Sequence, residues 1–179
     1  MSFFLSLSGF IDKFNEQVGK VAVWMVLLSC LVSAGNAASR YALDLSSNAW
    51  LEIQWYMFAG IVLLGAAYTL KRNEHVRVDV MYGRFRPRTQ AWVDLLGMIL
   101  FVMPTCLILL WMSWPFFLDA YTSGETSSNA GGLIRWPVKI MLPIGFAMLA
   151  AQGISEIIKR IGYLVGSFNM DIQYERPLQ

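Results

Sequence analysis

Few side chains in this sequence could do chemistry, and their positions narrow what it could be. His75, Arg77 and Asp79 stand close together in the most charged stretch of the chain. They could form a structural clamp, with Asp79 accepting hydrogen bonds from Arg77 or from helix-start amides. They could equally be a solvated loop, and spacing alone does not separate the two. Glu52 and Gln54 fall in the first turn of an apolar stretch that opens with Trp50, Trp55 and Tyr56. Glu52 could enter an intramembrane ion pair, with Arg40 or with a basic residue of a partner. It could also be a helix-start carboxylate that meets the positive end of the helix dipole and reaches headgroups and water, and its first-turn position favours that reading. Arg135 and Trp136 fit an interfacial anchor better than a site.

This inventory gives several functions little support. A haem-carrying helical subunit needs paired histidines inside its helices, and His75 is the single histidine. A thiol-redox centre needs a close cysteine pair, whereas Cys30 and Cys106 lie far apart in apolar stretches and read as packing residues. Pumps carry carboxylates deep in a span, but Glu52, Asp94 and Glu156 all fall near the ends of apolar stretches. No basic run with interleaved aromatics offers a nucleic-acid surface.

The elements that must position these residues follow from the gaps between charges. The chain has 179 residues, 56% hydrophobic and only 15% charged, well below the roughly 25% of a soluble domain. No charge lies between Lys20 and Arg40, Glu52 and Lys71, Asp94 and Asp119, or Lys139 and Glu156. A helix needs about 20 mostly apolar residues to cross a bilayer, and lipid leaves helices as the natural spanning form. The expected fold is therefore all-α, one integral membrane domain with transmembrane helices near 18–40, 49–70, 89–117 and 136–158. The fourth gap is short, and Lys139 is expected to snorkel outward. Pro104 should kink the third span. Ser29, Ser33 and Ala37 in the first span, and Ala147 and Ala151 in the fourth, form small-residue faces suited to close packing.

Two further pieces are expected at the membrane surface. Phe3, Leu7, Phe10, Phe14 and Val18 share one helical face, which predicts an N-terminal interfacial amphipathic helix over 1–17, retained rather than cleaved. Val78, Met81, Tyr82 and Phe85 match a short interfacial helix between spans two and three. Residues 122–132, rich in Ser, Thr and Gly, should be irregular, and 162–179 form a polar tail.

Lys and Arg accumulate on the cytoplasmic side. With the N-terminus inside, Lys13, Lys20, Lys71, Arg72, Arg77, Arg84, Arg86, Arg88, Lys159, Arg160 and Arg176 lie inside, and Arg40, Arg135 and Lys139 outside. Both termini are thus expected in the cytoplasm. The residues by themselves describe a four-span chain without a transport or catalytic site, suited to packing on another membrane subunit. A membrane anchor of a redox complex and a small self-sufficient transporter relying on Glu52 are the competing readings.

Several runs carry a family resemblance. Glu52–Phe58, Leu64–Tyr68, His75–Val80, Gly132–Pro137, Leu142–Phe146 and Gln152–Glu156 together resemble the DctQ-type small permease subunit of tripartite ATP-independent periplasmic (TRAP) transporters. The resemblance covers roughly 18–160 and leaves the N-terminal stretch and the tail aside. It implies a non-enzymatic scaffold in a bacterial inner membrane that braces a large permease subunit. A periplasmic binding protein would deliver an organic acid, and a sodium gradient would drive uptake. It implies no cofactor on this chain, with sodium held by the partner. Glu52, Gln54, Tyr56, His75, Arg77, Asp79, Arg135 and Trp136 become structural or subunit-contact candidates, none a substrate ligand.

Overall fold

The computed structural model describes residues 2–45, 47–74 and 82–169. Within them the regular structure is helical: α1 (Ser2–Leu43), α2 (Asn48–Arg72), α3 (Pro87–Gly97), α4 (Met103–Thr122), α5 (Trp136–Lys139) and α6 (Met141–Leu164). A π-helical turn, Met98–Val102, joins α3 to α4. Four stretches are long and apolar enough to cross a membrane: Ser2–Leu43, Asn48–Arg72, Pro87–Thr122 and Trp136–Leu164. Each runs past the apolar gap that announced it, because a helix goes on satisfying its own backbone beyond the hydrocarbon until a cap or breaker ends it. Ser47 caps the start of α2, and Asn73, at φ 58°, closes its end.

Helix α6 is the axis of the bundle. It packs against α1, α2, α3 and α4, and α1 also packs along α2. Its buried positions include Gly145, Met148, Gln152, Ser155 and Glu156. Ala147 is exposed and Ala151 half-buried, so the small face expected there is not the packing face. The expected stripe on α1 also stays outside, since Ser33 and Ala37 are exposed. Glycines make the close approaches instead. A Cβ on Gly19 would meet the Tyr68 ring at 2.5 Å, and one on Gly145 would meet the Leu63 carbonyl oxygen at 2.9 Å.

No boundary separates an interfacial helix from the first span: α1 is a single helix of 42 residues. At about 1.5 Å per residue it exceeds the thickness of a bilayer with its headgroups. It must therefore lean, or carry its first turns beyond the membrane. Phe3, Phe10 and Phe14 are exposed along it. The opposite face, with Ser8 and Asn15, is buried.

Of the expected helix between spans two and three, Val78 and Met81 lie outside the described residues, and 82–84 form one 3-10 turn. In the third span the expected disturbance takes the form of the π turn. The Met103 N–H reaches back five residues to the Met98 carbonyl. That widening makes room for the Pro104 ring, which would clash with a carbonyl four residues back in a regular helix. Pro115, a second proline, is accommodated inside α4.

Candidate functional site

Four of the sequence candidates converge where α2 and α4 meet the loop that leads into α5. Glu52, one turn into α2, is 3% exposed. Its carboxylate accepts hydrogen bonds from the Ser127 hydroxyl, from Asn129 Nδ2 at 2.8 Å and from the Leu133 backbone N–H at 2.7 Å. Within this chain Glu52 thus finds neutral donors in place of a basic partner. Arg40 is exposed and is not among its partners. Nor does the carboxylate open to water: it fills the inside of a loop, where fixed donors replace its hydration.

The loop holds no helix or strand, as expected, but its backbone is pinned by specific bonds. Thr126 and Ile134 form an antiparallel bridge, with Ser127 N–H donating to the Leu133 carbonyl and Arg135 N–H to the Glu125 carbonyl. Gly132 allows the turn to close, because a Cβ there would stand 2.6 Å from the Ser127 Cβ. Tyr56, one turn below Glu52, donates its hydroxyl to the Ile134 carbonyl at 3.1 Å, and Asn48 reaches the Ala130 carbonyl at 3.2 Å. Arg135 Nη1 donates to Glu125 Oε1 at 3.0 Å, and Lys139 bonds the other oxygen of the same carboxylate. Lys139 is turned to that loop carboxylate and not to open solvent. Its side chain is 12% exposed and its ammonium sits 3.9 Å from the centre of the Phe116 ring. Trp136 meets Tyr121 edge-on at 5.7 Å. Between them, Lys139 first and then Arg135 hold the Glu125 carboxyl below its ordinary range, against partial burial that pushes it up.

Of the eight candidates, Glu52, Tyr56, Arg135 and Trp136 thus belong to one cluster. Gln54 is half-buried on α2. His75, Arg77 and Asp79 lie outside the described residues. The loop partners Glu125, Ser127, Asn129 and Leu133 escaped sequence reading, since nothing in a Ser- and Gly-rich stretch says which acceptor it will fold around.

A second polar cluster occupies the opposite end, where α1 begins and α6 ends. Asp12 accepts from Gln152 Nε2 at 2.9 Å, from the Ser155 hydroxyl at 2.7 Å and from Lys159 Nζ at 3.0 Å. Ser8 and Ser155 share a hydrogen bond at 2.7 Å, and Asn15 donates to Gln152 Oε1 at 2.8 Å. Glu156 pairs with both Lys159 and Arg160, and Arg160 continues to Asp94 on α3 at 3.1 Å. Lys71 on α2 joins Glu16 at 2.7 Å. This cluster ties α1, α3 and α6 together, with Lys71 adding α2. Its signal was present as polar steps of three and four residues, 8–12–15 on α1 and 152–155–159 on α6.

The two clusters place interacting charges at both ends of the bundle. Among the described residues no group of histidine, cysteine and carboxylate side chains has the arrangement of a metal site. The family described as tripartite ATP-independent periplasmic transporters, DctQ component, matches residues 29–162. No curated protein and no solved structure matches the chain.

Proposed function

The chain belongs to the DctQ family, the small component of TRAP transporters, which work with a large permease and a binding protein, and from that premise we propose that it is the scaffold subunit of a sodium-driven importer of organic acids. It would brace the large permease subunit, hold no cofactor and catalyse no reaction, while sodium and substrate bind the partner and a periplasmic protein delivers the solute. The membrane would be the bacterial inner membrane, with both termini in the cytoplasm and the 123–135 loop outside.

One observation carries the scaffold reading: the buried carboxylates are committed to fixed internal partners. Glu52 is tied to its loop, and Glu156 to Lys159 and Arg160. A coupling carboxylate must exchange its ion during each cycle, whereas a saturated pair breaks only at high cost. The flanks of the bundle, by contrast, are apolar and open. Leu28 and Leu31 on α1 and Trp111 and Met112 on α4 are exposed, as suits helices that lean on lipid or on another subunit.

The test is reconstitution. This chain alone in liposomes should give no sodium-driven uptake of any organic acid. Together with its large permease and binding protein it should support uptake that is lost when it is left out. Uptake by the chain alone would sink the scaffold reading. Full uptake without it would remove its bracing role.

A further inference from the structure

Between the second and third spans lies the sequence Arg84-Phe85-Arg86-Pro87-Arg88, which neither polar cluster uses. All three arginines are exposed, and none has an acidic partner among the described residues. Phe85 is 42% exposed. The segment is nevertheless held in shape. Gln90, only 4% exposed, donates through Nε2 to the Tyr82 carbonyl at 3.1 Å and to the Phe85 carbonyl at 3.2 Å. Pro87 then opens α3, and the Thr89 and Gln90 N–H groups both close on the Arg86 carbonyl. A buried amide that fixes an exposed cationic turn presents its charges without ordering them anew at each encounter.

The surface below the turn is apolar. Trp92 is 50% exposed and Leu96 is 49% exposed. They follow Arg88 at four-residue steps, so cation, indole and leucine share one face of α3. The start of α3 also presents the positive end of a helix dipole. Cations at the membrane boundary, followed by an apolar stripe running into the span, match one ligand shape: a phosphate headgroup with its acyl chain.

We propose that this face of α3 binds an anionic phospholipid, its headgroup among Arg84, Arg86 and Arg88 and its chain along Trp92 and Leu96. Charge complementarity selects the lipid class. Three exposed arginines without an acidic partner among the described residues attract a headgroup with net negative charge, and a zwitterionic headgroup offers its own ammonium against them. Assigning the site to the cytoplasmic leaflet rests on the orientation proposed above, but recognition of the headgroup does not.

Native mass spectrometry of the full chain in detergent, offered an equimolar mixture of phosphatidylglycerol and phosphatidylcholine, tests this. Wild type should retain phosphatidylglycerol with roughly tenfold preference, weakening as salt screens the arginines. The triple variant R84Q/R86Q/R88Q should fall to parity, while R84K/R86K/R88K keeps most of the preference and the distant Arg40→Gln keeps all of it. Parity in wild type, or an undiminished preference in the triple glutamine variant, overturns the proposal. Parity between lipids joined to arginine-dependent binding of a polyglutamate peptide overturns it in favour of an acidic protein surface. Should the glutamine variant lose helicity, the wild-type lipid and salt comparisons still decide. Orientation is read separately, by labelling Gly83→Cys with an impermeant reagent in intact cells. Labelling from outside would refute the leaflet assignment and leave the lipid result standing.

Discussion

Glu52 and Glu125 show how one loop is held by two carboxylates of different kind. Glu52 is an internal acceptor, satisfied by three donors that serve no other anion among the described residues. Glu52→Ala should leave Ser127, Asn129 and Leu133 facing an empty site. Cleavage within 123–135 should then accelerate several-fold, while far-UV circular dichroism shows the helices intact. A loop that stays as resistant as the parent's would show that Glu52 does not organise it. Glu125 lies between spans and is governed by Lys139 and Arg135. Its pKa is lower when folded, so its stabilisation is complete above the ordinary glutamate range and is lost as pH falls through the depressed folded value. The loop should stay closed from neutral pH down through that range and loosen only below it. Glu125→Gln should loosen it already at neutral pH and shrink the acid-induced increase, followed by protease sensitivity against pH.

At the scale of elements, the glycines decide how near two helices come. The Cβ of Gly145→Ala would press on Leu63, so α2 and α6 must part, at a cost of about 1–3 kcal/mol. Gly35, with nothing within 4 Å of its would-be Cβ, should behave oppositely. Gly35→Ala should raise the stability of the isolated chain by about 0.5–1 kcal/mol through lost chain entropy. Denaturation in detergent compares the two signs. The N-terminal stretch poses a different question. Asp12 links the first turns of α1 to Gln152, Ser155 and Lys159 on α6. Asp12→Ala should weaken that attachment by about 1–3 kcal/mol. Amide exchange over 2–15 should quicken while the middle of α2 is unchanged. Uniform quickening across the chain would mean that the cluster supports the whole bundle rather than this segment.

At the scale of the whole molecule, four apolar stretches and the distribution of Lys and Arg give the proposed orientation. A reporter fused at Ser123 should be active only outside the cytoplasm; a cytoplasmic signal there would reverse the assignment. How far the sequence reaches is clearest in what it did and did not place. It determined that the chain is helical and membrane-spanning, because uncharged runs of about 20 residues match a helix, which satisfies its own backbone hydrogen bonds in lipid. Its motifs also carried the family. It could not say which faces of the helices meet. Ser29, Ser33 and Ala37 had the right spacing for packing, yet Gly19 and Gly145 make the close contacts, since in an apolar helix every face looks alike until a partner helix selects one. It divided an interfacial helix from the first span near residue 17, where the helix runs on without a break, because a change in which face is apolar need not interrupt a helix. It named Glu52, Tyr56, Arg135 and Trp136, but left the first two apart from the last two. Only the tertiary structure folds the 123–135 loop over α2, and it does so because a buried carboxylate must find its donors wherever in the sequence they stand.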